Sequence, residues 1–365
     1  MPDTPSSQPP PPPLPPAKAA PGKKPRNGFW TFFGCVGMLA CGGLLLGTFL
    51  AVALAAAAVA NAGGGFGSVA PRPPVKKQMV EGNPRARATV AVVEVRGIIR
   101  SGSLFDGAST ERILAELQAV REDPAVTAVI LDMDTPGGEV TASDEIRHAV
   151  SQVREAGKPV VTCMRGMGAS GGYFIASGTD YIVANRLTMT GSVGVIIAGY
   201  NLHGLMQKVG VEGETYKSGA MKDMLNPARP RTALEAAYVE QLVQDTFHEF
   251  ADVVAEGRPE RYADRAAVLA AEFADGRILT GTQALEAGLV DELGYFAEAV
   301  AKAAELAKVA DFKVVRYQRG ATFTEVFLSM KAPLRVSLPG GLLPEGGFTP
   351  RPGQAYYLHP ACLPY

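Results

Sequence analysis

Residues 164–180 read MRGMGASGGYFIASGTD, and this stretch decides the fold of the chain. Ser170 lies between an apolar run at 159–164, which predicts a strand, and an apolar run at 171–177, which predicts a helix. The glycine pair at 171–172 leaves this serine without bulky neighbours on a tight turn. The pattern fits a nucleophilic hydroxyl, and it fits equally a serine that caps the following helix.

Strands and helices alternate along the chain from residue 89 onward. Strands are predicted at 89–96, 126–133, 159–164 and 181–184, and helices at 111–121, 143–156, 171–177, 234–256, 265–273 and 282–286. Such alternation predicts an α/β fold with a parallel sheet. Glycine-rich segments at 134–139, 168–172 and 190–194 each follow a strand. We expect a functional site where the carboxyl ends of those strands meet.

The first 60 residues predict a membrane anchor. Residues 1–28 hold 11 of the 28 prolines and predict a disordered tail. Residues 29–60 are almost wholly apolar, which predicts one transmembrane helix and is too long for the apolar part of a secretory signal. The small-x-small sequence at 60–62 leaves cleavage open as an alternative. Lysines and arginines concentrated before the span favour a cytoplasmic N-terminus, with the folded domain on the extracytoplasmic side of the cell membrane.

The rest of the chain divides by composition. Residues 61–88 predict a linker, 89–318 a folded domain and 319–365 a C-terminal tail. The apolar stretch at 356–358 in that tail raises the hypothesis that the C-terminus occupies the chain's own site or is trimmed there. The net charge of −1 argues against a nucleic-acid partner. Neither the four cysteines nor the four histidines have metal-binding spacing, so we expect no metal, cofactor or structural disulfide.

Three further groups could complete a hydrolytic site around the serine. The Gly-Gly turn at 137–138 can expose N–H groups that hold an oxyanion, although an ordinary strand-to-helix turn has the same sequence. Lys217 and Lys222 lie among apolar residues, and a lysine shielded from water can lose its charge and act as a base. On an exposed loop, either lysine is simply a solvated charge. Ser192 could aim such an amine or stabilise its own turn.

Five segments, taken in order, resemble the signal peptide peptidase A family of S49 serine proteases. They are DTPGGEV (134–140), MGASGGYF (167–174), LTMTGSVGV (187–195), YKSGAMKDMLNP (216–227) and ADGRILTGTQA (274–284). The resemblance extends over about residues 89–307 and is to the short, single-copy form of the family. It implies a ClpP- and crotonase-like fold built from repeated β-β-α or β-α units.

The resemblance also implies roles for individual residues. It makes Ser170 the nucleophile, Lys222 the general base, the N–H of Gly138 an oxyanion donor and Ser192 the residue that orients the lysine. Spacing alone does not separate Lys222 from Lys217. The implied activity is that of a membrane-anchored endopeptidase, free of cofactors, that degrades remnant signal peptides or other apolar peptides through an acyl-enzyme. The serine and the lysine would come from adjacent subunits of a homo-oligomeric ring, of which an octamer is one form.

Two other functions fit the same residues. A crotonase-like acyl-CoA enzyme would use the same oxyanion donors, but the sequence offers no convincing cluster for the CoA phosphates. A catalytically inactive membrane scaffold is the other alternative. The presence of both Ser170 and a suitable lysine argues against it.

Overall fold

A large, mostly parallel sheet with helices on both faces forms the body of the computed structural model, which describes residues 75–102, 108–319 and 356–358. The predicted α/β class with a parallel sheet is therefore confirmed. The predicted tail at 1–28 and transmembrane helix at 29–60 lie outside the described residues, as does most of the predicted C-terminal tail. Among the described helices, none combines the length and the apolar character that crossing a bilayer requires.

Two sheets are present in the described residues. The main sheet contains, in spatial order, β1 (Val75–Gly82), β12 (Phe312–Arg319), β2 (Ala88–Arg96), β5 (Val126–Thr135), β7 (Val160–Ala169), β8 (Tyr181–Ala184) and β11 (Glu292–Leu293), with β9 (Met189–Gly191) paired to β7 and to β10 (Ile278–Thr280). The pairs β1–β12 and β9–β10 are antiparallel, and the other pairs of this sheet are parallel. The second sheet is β13 (Tyr356–Leu358), β6 (Gly137–Glu139), β3 (Ile99–Arg100) and β4 (Ala108–Ser109).

The described residues contain eight α-helices, of which the sequence predicted six; those at 203–209 and 296–306 were not predicted. The eight helices are α1 (Thr110–Glu122), α2 (Val140–Glu155), α3 (Gly171–Ala176), α4 (His203–Val209), α5 (Ala233–Gly257), α6 (Arg265–Leu269), α7 (Gly281–Glu286) and α8 (Phe296–Leu306). The helix predicted at 265–273 ends earlier, and a 3₁₀ turn at Glu272–Asp275 follows it. The strand predicted at 159–164 runs on to Ala169, which brings it directly to Ser170.

Successive side chains of the central strands point to opposite faces of the main sheet, so each face has its own hydrophobic core. Val90 and Val92 of β2 contribute to a cluster covered by α8, whereas Val93 and Val95 contribute to a larger cluster that includes residues of α1, α2, α3 and α5. Because both faces are covered, these strands are apolar at nearly every position, as is typical of parallel sheets. This is why β2, β5 and β8 could be read directly from the sequence.

The edge strand β1 lies in the range that composition assigned to a linker, so the sequence did not predict it. Its residues are mostly exposed, so it lacks the apolar run by which the central strands were recognised. One carboxylate fastens it to the domain: Asp123, just after α1, accepts hydrogen bonds from Lys77 of β1 and, at 2.6 Å, from the hydroxyl of Tyr317 on β12. Partial burial by itself would raise the pKa of Asp123, but these hydrogen bonds outweigh it and lower the pKa from 3.8 to about 2.

We predict that Asp123→Asn destabilises the full chain at pH 7 by about 1–2 kcal/mol, because hydrogen bonds to a charged partner are lost. The lowered pKa means that the stabilisation by Asp123 is complete above its ordinary pKa and is lost as the pH falls through about 2. Urea denaturation at several pH values should therefore show a difference in unfolding free energy that closes towards pH 2. Asp144→Asn, at an exposed position of α2, is the matched control. An equal difference at pH 7 and pH 2 would contradict the assignment.

Candidate active site

The three glycine-rich segments meet at the carboxyl ends of β5, β7 and β9. Thr135 at the end of β5 is paired with Gly168 of β7, and Gly168 is paired with Thr190 of β9. The hydroxyl of Thr190 also donates a hydrogen bond to the carbonyl of Gly168 at 2.7 Å. The expectation that these segments lie side by side is confirmed. The parallel register of the strands brings them together.

Ser170 occupies the sharp turn between β7 and α3. Its backbone has φ 52° and ψ −115°, a conformation that costs a non-glycine residue about 1–3 kcal/mol. The turn is held from both sides: the N–H of Ser170 donates to the carbonyl of Gly191 at 2.8 Å, and its carbonyl accepts from the N–H of Phe174 at 2.8 Å. The side chain does not cap α3. The reading of Ser170 as a plain helix cap is therefore wrong.

Glycines let the helix α3 begin close to the end of β5. A Cβ at Gly172 would lie 2.7 Å from the Cγ2 of Thr135, and a Cβ at Gly168 would lie 2.8 Å from Met164. The hydroxyl of Thr135 donates to the carbonyl of Gly97 at 2.6 Å and accepts from the N–H of Gly137 at 3.1 Å. Thr135 thus fixes the start of the Gly-Gly turn. The sequence alone indicates no role for Thr135, although it lies inside one of the five family segments.

The Gly-Gly turn forms β6 and packs closely on β3. A Cβ at Gly138 would lie 1.8 Å from the carbonyl oxygen of Ile99, a distance that no side chain can occupy. Gly137, with φ 98°, has the left-handed backbone that favours glycine. The need for glycine at both positions is therefore explained by the positive φ at Gly137 and by close backbone packing at Gly138. The role of the Gly138 N–H as an oxyanion donor stays a prediction.

Ser192 comes directly after β9, the strand paired with the end of β7. It follows Gly191, whose carbonyl binds the Ser170 N–H, and it too has a left-handed backbone, with φ 50°. Ser170 and Ser192 are 1% and 5% exposed, yet neither hydroxyl makes a hydrogen bond within the described part of the chain. Both hydroxyls are therefore available to hydrogen-bond a ligand.

The two candidate lysines differ in their contacts. The amine of Lys217 donates to a carboxylate oxygen of Asp223 at 2.6 Å and to the carbonyl of Ala220 at 3.1 Å. Hydrogen bonds from Arg229 and then Lys217 hold the pKa of the Asp223 carboxyl well below its usual range. Lys222 is exposed, and its amine has neither hydrogen bond nor ion pair among the described residues. The expectation that apolar neighbours bury this lysine is not met in a single chain.

Two carboxylates near the turn have structural roles. The sequence allows Asp132 and Asp134 to be a carboxylate pair, and favours turn and helix-start residues. Asp132 is fully buried and bridges β2 and β7 through Arg96 at 2.7 Å and Arg165 at 2.5 Å, while Asp134 accepts from the N–H of Met167 at 3.0 Å. Both tie strands together, and neither begins a helix. No three metal-ligating side chains are grouped within the ranges that the structure describes.

A family model and several relatives connect the chain with the S49 peptidases. The model of peptidase family S49 matches residues 152–310. The "Putative signal peptide peptidase SppA" of Enterococcus faecium is 40% identical over 212 residues, 58% of this chain and 60% of the relative. A "Putative protease" of Synechocystis sp. is 41% identical over 228 residues, 62% of this chain and 78% of the relative. The chloroplastic "Serine protease SPPA" of Arabidopsis thaliana is 33% identical over 239 residues, but the match spans only 34% of its length.

We predict that Gly138→Ala destabilises the chain by about 1–3 kcal/mol, because the added methyl group forces β6 away from β3. The measurement is the free energy of unfolding in urea. Gly204→Ala is the matched control, since a Cβ there has nothing within 4 Å and lies inside helix α4. That control should be neutral or slightly stabilising. Equal stability of the Gly138→Ala protein and the unaltered chain would show that β6 does not need the close approach.

Proposed function

The chain belongs to peptidase family S49, and from that membership we propose that it is a serine endopeptidase with a Ser170–Lys222 dyad. The nucleophile and the base come from different copies of the chain. The N–H of Gly138 donates to the oxyanion, and Ser192 orients the lysine. The mostly parallel sheet belongs in this proposal to the ClpP- and crotonase-like type that the resemblance implies.

The observation that carries the proposal is the unbonded hydroxyl of Ser170 on a strained turn. Buried polar groups are hydrogen-bonded in the great majority of cases, so exceptions call for an explanation. Here the backbone is held at φ 52° by two hydrogen bonds, while the hydroxyl is left without a partner among the described residues. Backbone strain at a serine, where it positions the hydroxyl, is typical of a nucleophile.

The chemistry follows the order of an acyl transfer. The Oγ of Ser170 attacks the carbonyl carbon of the peptide while its proton passes to the neutral amine of Lys222. The tetrahedral oxyanion is held by the N–H of Gly138. When the intermediate collapses, the carbon–nitrogen bond breaks and the lysine returns the proton to the leaving amine. Water then attacks the acyl-enzyme with the same lysine as base, and Ser170 is regenerated.

A second copy of the chain supplies what a single chain lacks. A lysine acts as a base only when its amine is uncharged, and removal from water favours the uncharged form. Lys222 is exposed in one chain, so a covering surface must come from elsewhere. The segment around it also exposes large apolar side chains, which is typical of a protein–protein contact. They are Tyr200, Leu202, Leu205, Val209, Val211, Tyr216, Leu234 and Tyr238.

The substrates in this proposal are apolar peptides at a membrane, including remnants of signal peptides. The support is the family resemblance together with the apolar span at 29–60, which would hold the domain at the bilayer. The N-terminus is then cytoplasmic and the folded domain extracytoplasmic. No cofactor takes part in the steps above.

We predict that Ser170→Ala and Lys222→Ala each lower kcat/KM by on the order of 10³-fold or more, because each removes one partner of the proton transfer. The assay is cleavage of a fluorogenic peptide of small apolar residues by the full chain in detergent. Lys76→Ala changes an exposed lysine of β1 and should leave kcat/KM unaltered. Lys217→Ala should reduce it less than Lys222→Ala, since Lys217 acts through the ion pair with Asp223.

Full activity of Ser170→Ala or Lys222→Ala would contradict the proposal. A reversed order, with Lys217→Ala inactive and Lys222→Ala active, would move the base to Lys217. If no peptide is cleaved and a fluorophosphonate probe leaves Ser170 unlabelled in the assembled protein, the scaffold alternative holds instead.

A further inference from the structure

A groove of about 830 Å³ lies between helices α2, α3, α5 and α6. Val140, which directly follows β6, and Phe174 of α3 line it. Phe174 comes four residues after Ser170, a rise of about 6 Å along a helix. Val140 comes two residues after Gly138, at most about 7 Å along the chain. The groove therefore begins within a few residues of a peptide bound at Ser170.

Acidic side chains follow one face of α5 along this groove. Four of them lie four, three and four residues apart, a spacing that places them on one side of the helix. They are Asp245, Glu249, Asp252 and Glu256, and all four line the groove. Like charges at this spacing destabilise a helix, so helix formation does not explain the pattern. The groove is also lined by Asp144, Asp264, Arg147 and Arg265, which makes its formal net charge −4. We call this surface the acidic groove.

Two of the four acids on α5 have a cationic partner in the chain, and two do not. Asp245 and Glu249 are exposed and have no ion pair within the part of the chain that the structure describes, although the charge of Arg265 also acts on Glu249. Their charge is therefore available to a cation from outside. The two ion pairs that do form are Arg147–Glu256, at 2.7 Å, and Arg265–Asp252.

The walls of the acidic groove fit a basic side chain better than a metal ion. Val140, Phe174 and Val253 supply apolar surface, on which the methylene stem of a lysine or arginine can pack while its head group reaches the carboxylates. No three metal-ligating side chains are grouped at one point within the described ranges. The acids on α5 extend over about 16 Å, the length of about five residues of extended peptide.

We propose that the acidic groove binds the basic part of a peptide substrate, and that it favours apolar peptides with Lys or Arg within about five residues of the bond that is cut. This rests on the proposed function, because it takes the scissile bond to lie at Ser170. Exposed ion pairs are individually weak, and salt screens them. The groove therefore adds selectivity to an affinity that comes mainly from the apolar residues.

The first experiment measures binding and does not depend on catalysis. Fluorescence anisotropy follows a labelled peptide of small apolar residues added to the full Ser170→Ala chain in non-ionic detergent. Three versions carry a pair of lysines near the N-terminus, a pair near the C-terminus, or glutamines at both places. We expect one lysine peptide to bind about 5-fold tighter than the glutamine peptide at low salt, and the advantage to shrink at high salt. Equal affinity of all three peptides would overturn the proposal.

Variants of the groove show whether its carboxylates cause the preference. The double variant Asp245→Asn, Glu249→Gln should lose it, whereas Glu81→Gln, Glu155→Gln, at exposed positions of β1 and the end of α2, should keep it. The charge reversal Asp245→Lys, Glu249→Lys should instead favour a peptide with glutamates in place of the lysines, a result that a loosened fold does not produce.

A lysine preference that survives in the Asp245→Asn, Glu249→Gln protein would overturn the proposal. If that protein also changes its assembly by light scattering, the acidic groove is a contact between copies of the chain. A charge reversal that leaves the glutamate peptide no better bound than the glutamine peptide would contradict the proposal as well.

The second experiment measures selectivity in the active chain. The Asp245→Asn, Glu249→Gln variant should lower kcat/KM for the preferred lysine peptide about 5-fold, through KM, and leave the glutamine peptide unaltered. An equal decrease for both peptides would refute selectivity by the groove. Absence of cleavage in every protein would instead bear on the proposed function, while the binding result still decides the role of the groove.

Discussion

The hydrogen bond from the N–H of Ser170 to the carbonyl of Gly191 is the interaction on which the site depends. It joins the end of β7 to the end of β9 and holds Ser170 at φ 52°. A relaxed serine at this point could turn its hydroxyl onto the free N–H groups of α3, as capping serines do. In the observed conformation the side chain makes no capping hydrogen bond to α3. The conformation of Ser170 is thus set by the backbone, which the sheet fixes.

Two features of the sheet hold Ser170 in this conformation: the register of its strands, and glycines whose lack of a side chain allows close packing. Pairing across β5, β7 and β9 aligns Thr135, Gly168 and Thr190 in one row. Gly138 and Gly172 then allow backbone and helix to approach more closely than any Cβ permits. The glycines of these motifs are best explained by this close packing. Any direct contact with a substrate is an additional use of the same surface.

Much of the fold could be predicted because central parallel strands are apolar on both faces, and because the turn residues of the site lie next to them in sequence. Other features depend on facts that sequence does not carry. Whether Ser170 caps α3 depends on its φ and ψ, which the motif alone leaves open. The edge strand β1 was missed because its exposed residues, such as Lys77, resemble a linker. The pairing of β13 with β6 joins residues more than 200 positions apart, so no local sequence pattern predicts it.

The exposure of Lys222 could not be predicted either, for a different reason. Apolar neighbours in sequence suggested burial, yet Lys222 is exposed in one chain, and Asp223 is occupied by Lys217 and Arg229. In the proposed dyad, Lys222 would lose its contact with water only against another copy, so the assembled particle would be the catalytic unit.

The most direct test is to co-assemble the Ser170→Ala chain with the Lys222→Ala chain. If nucleophile and base come from different copies, some sites of the mixed particle contain both groups, and a 1:1 mixture around a ring should regain about a quarter of the normal activity. If both groups act within one chain, no site in the mixture is complete. A mixture that assembles normally but stays as inactive as either protein alone would contradict the account.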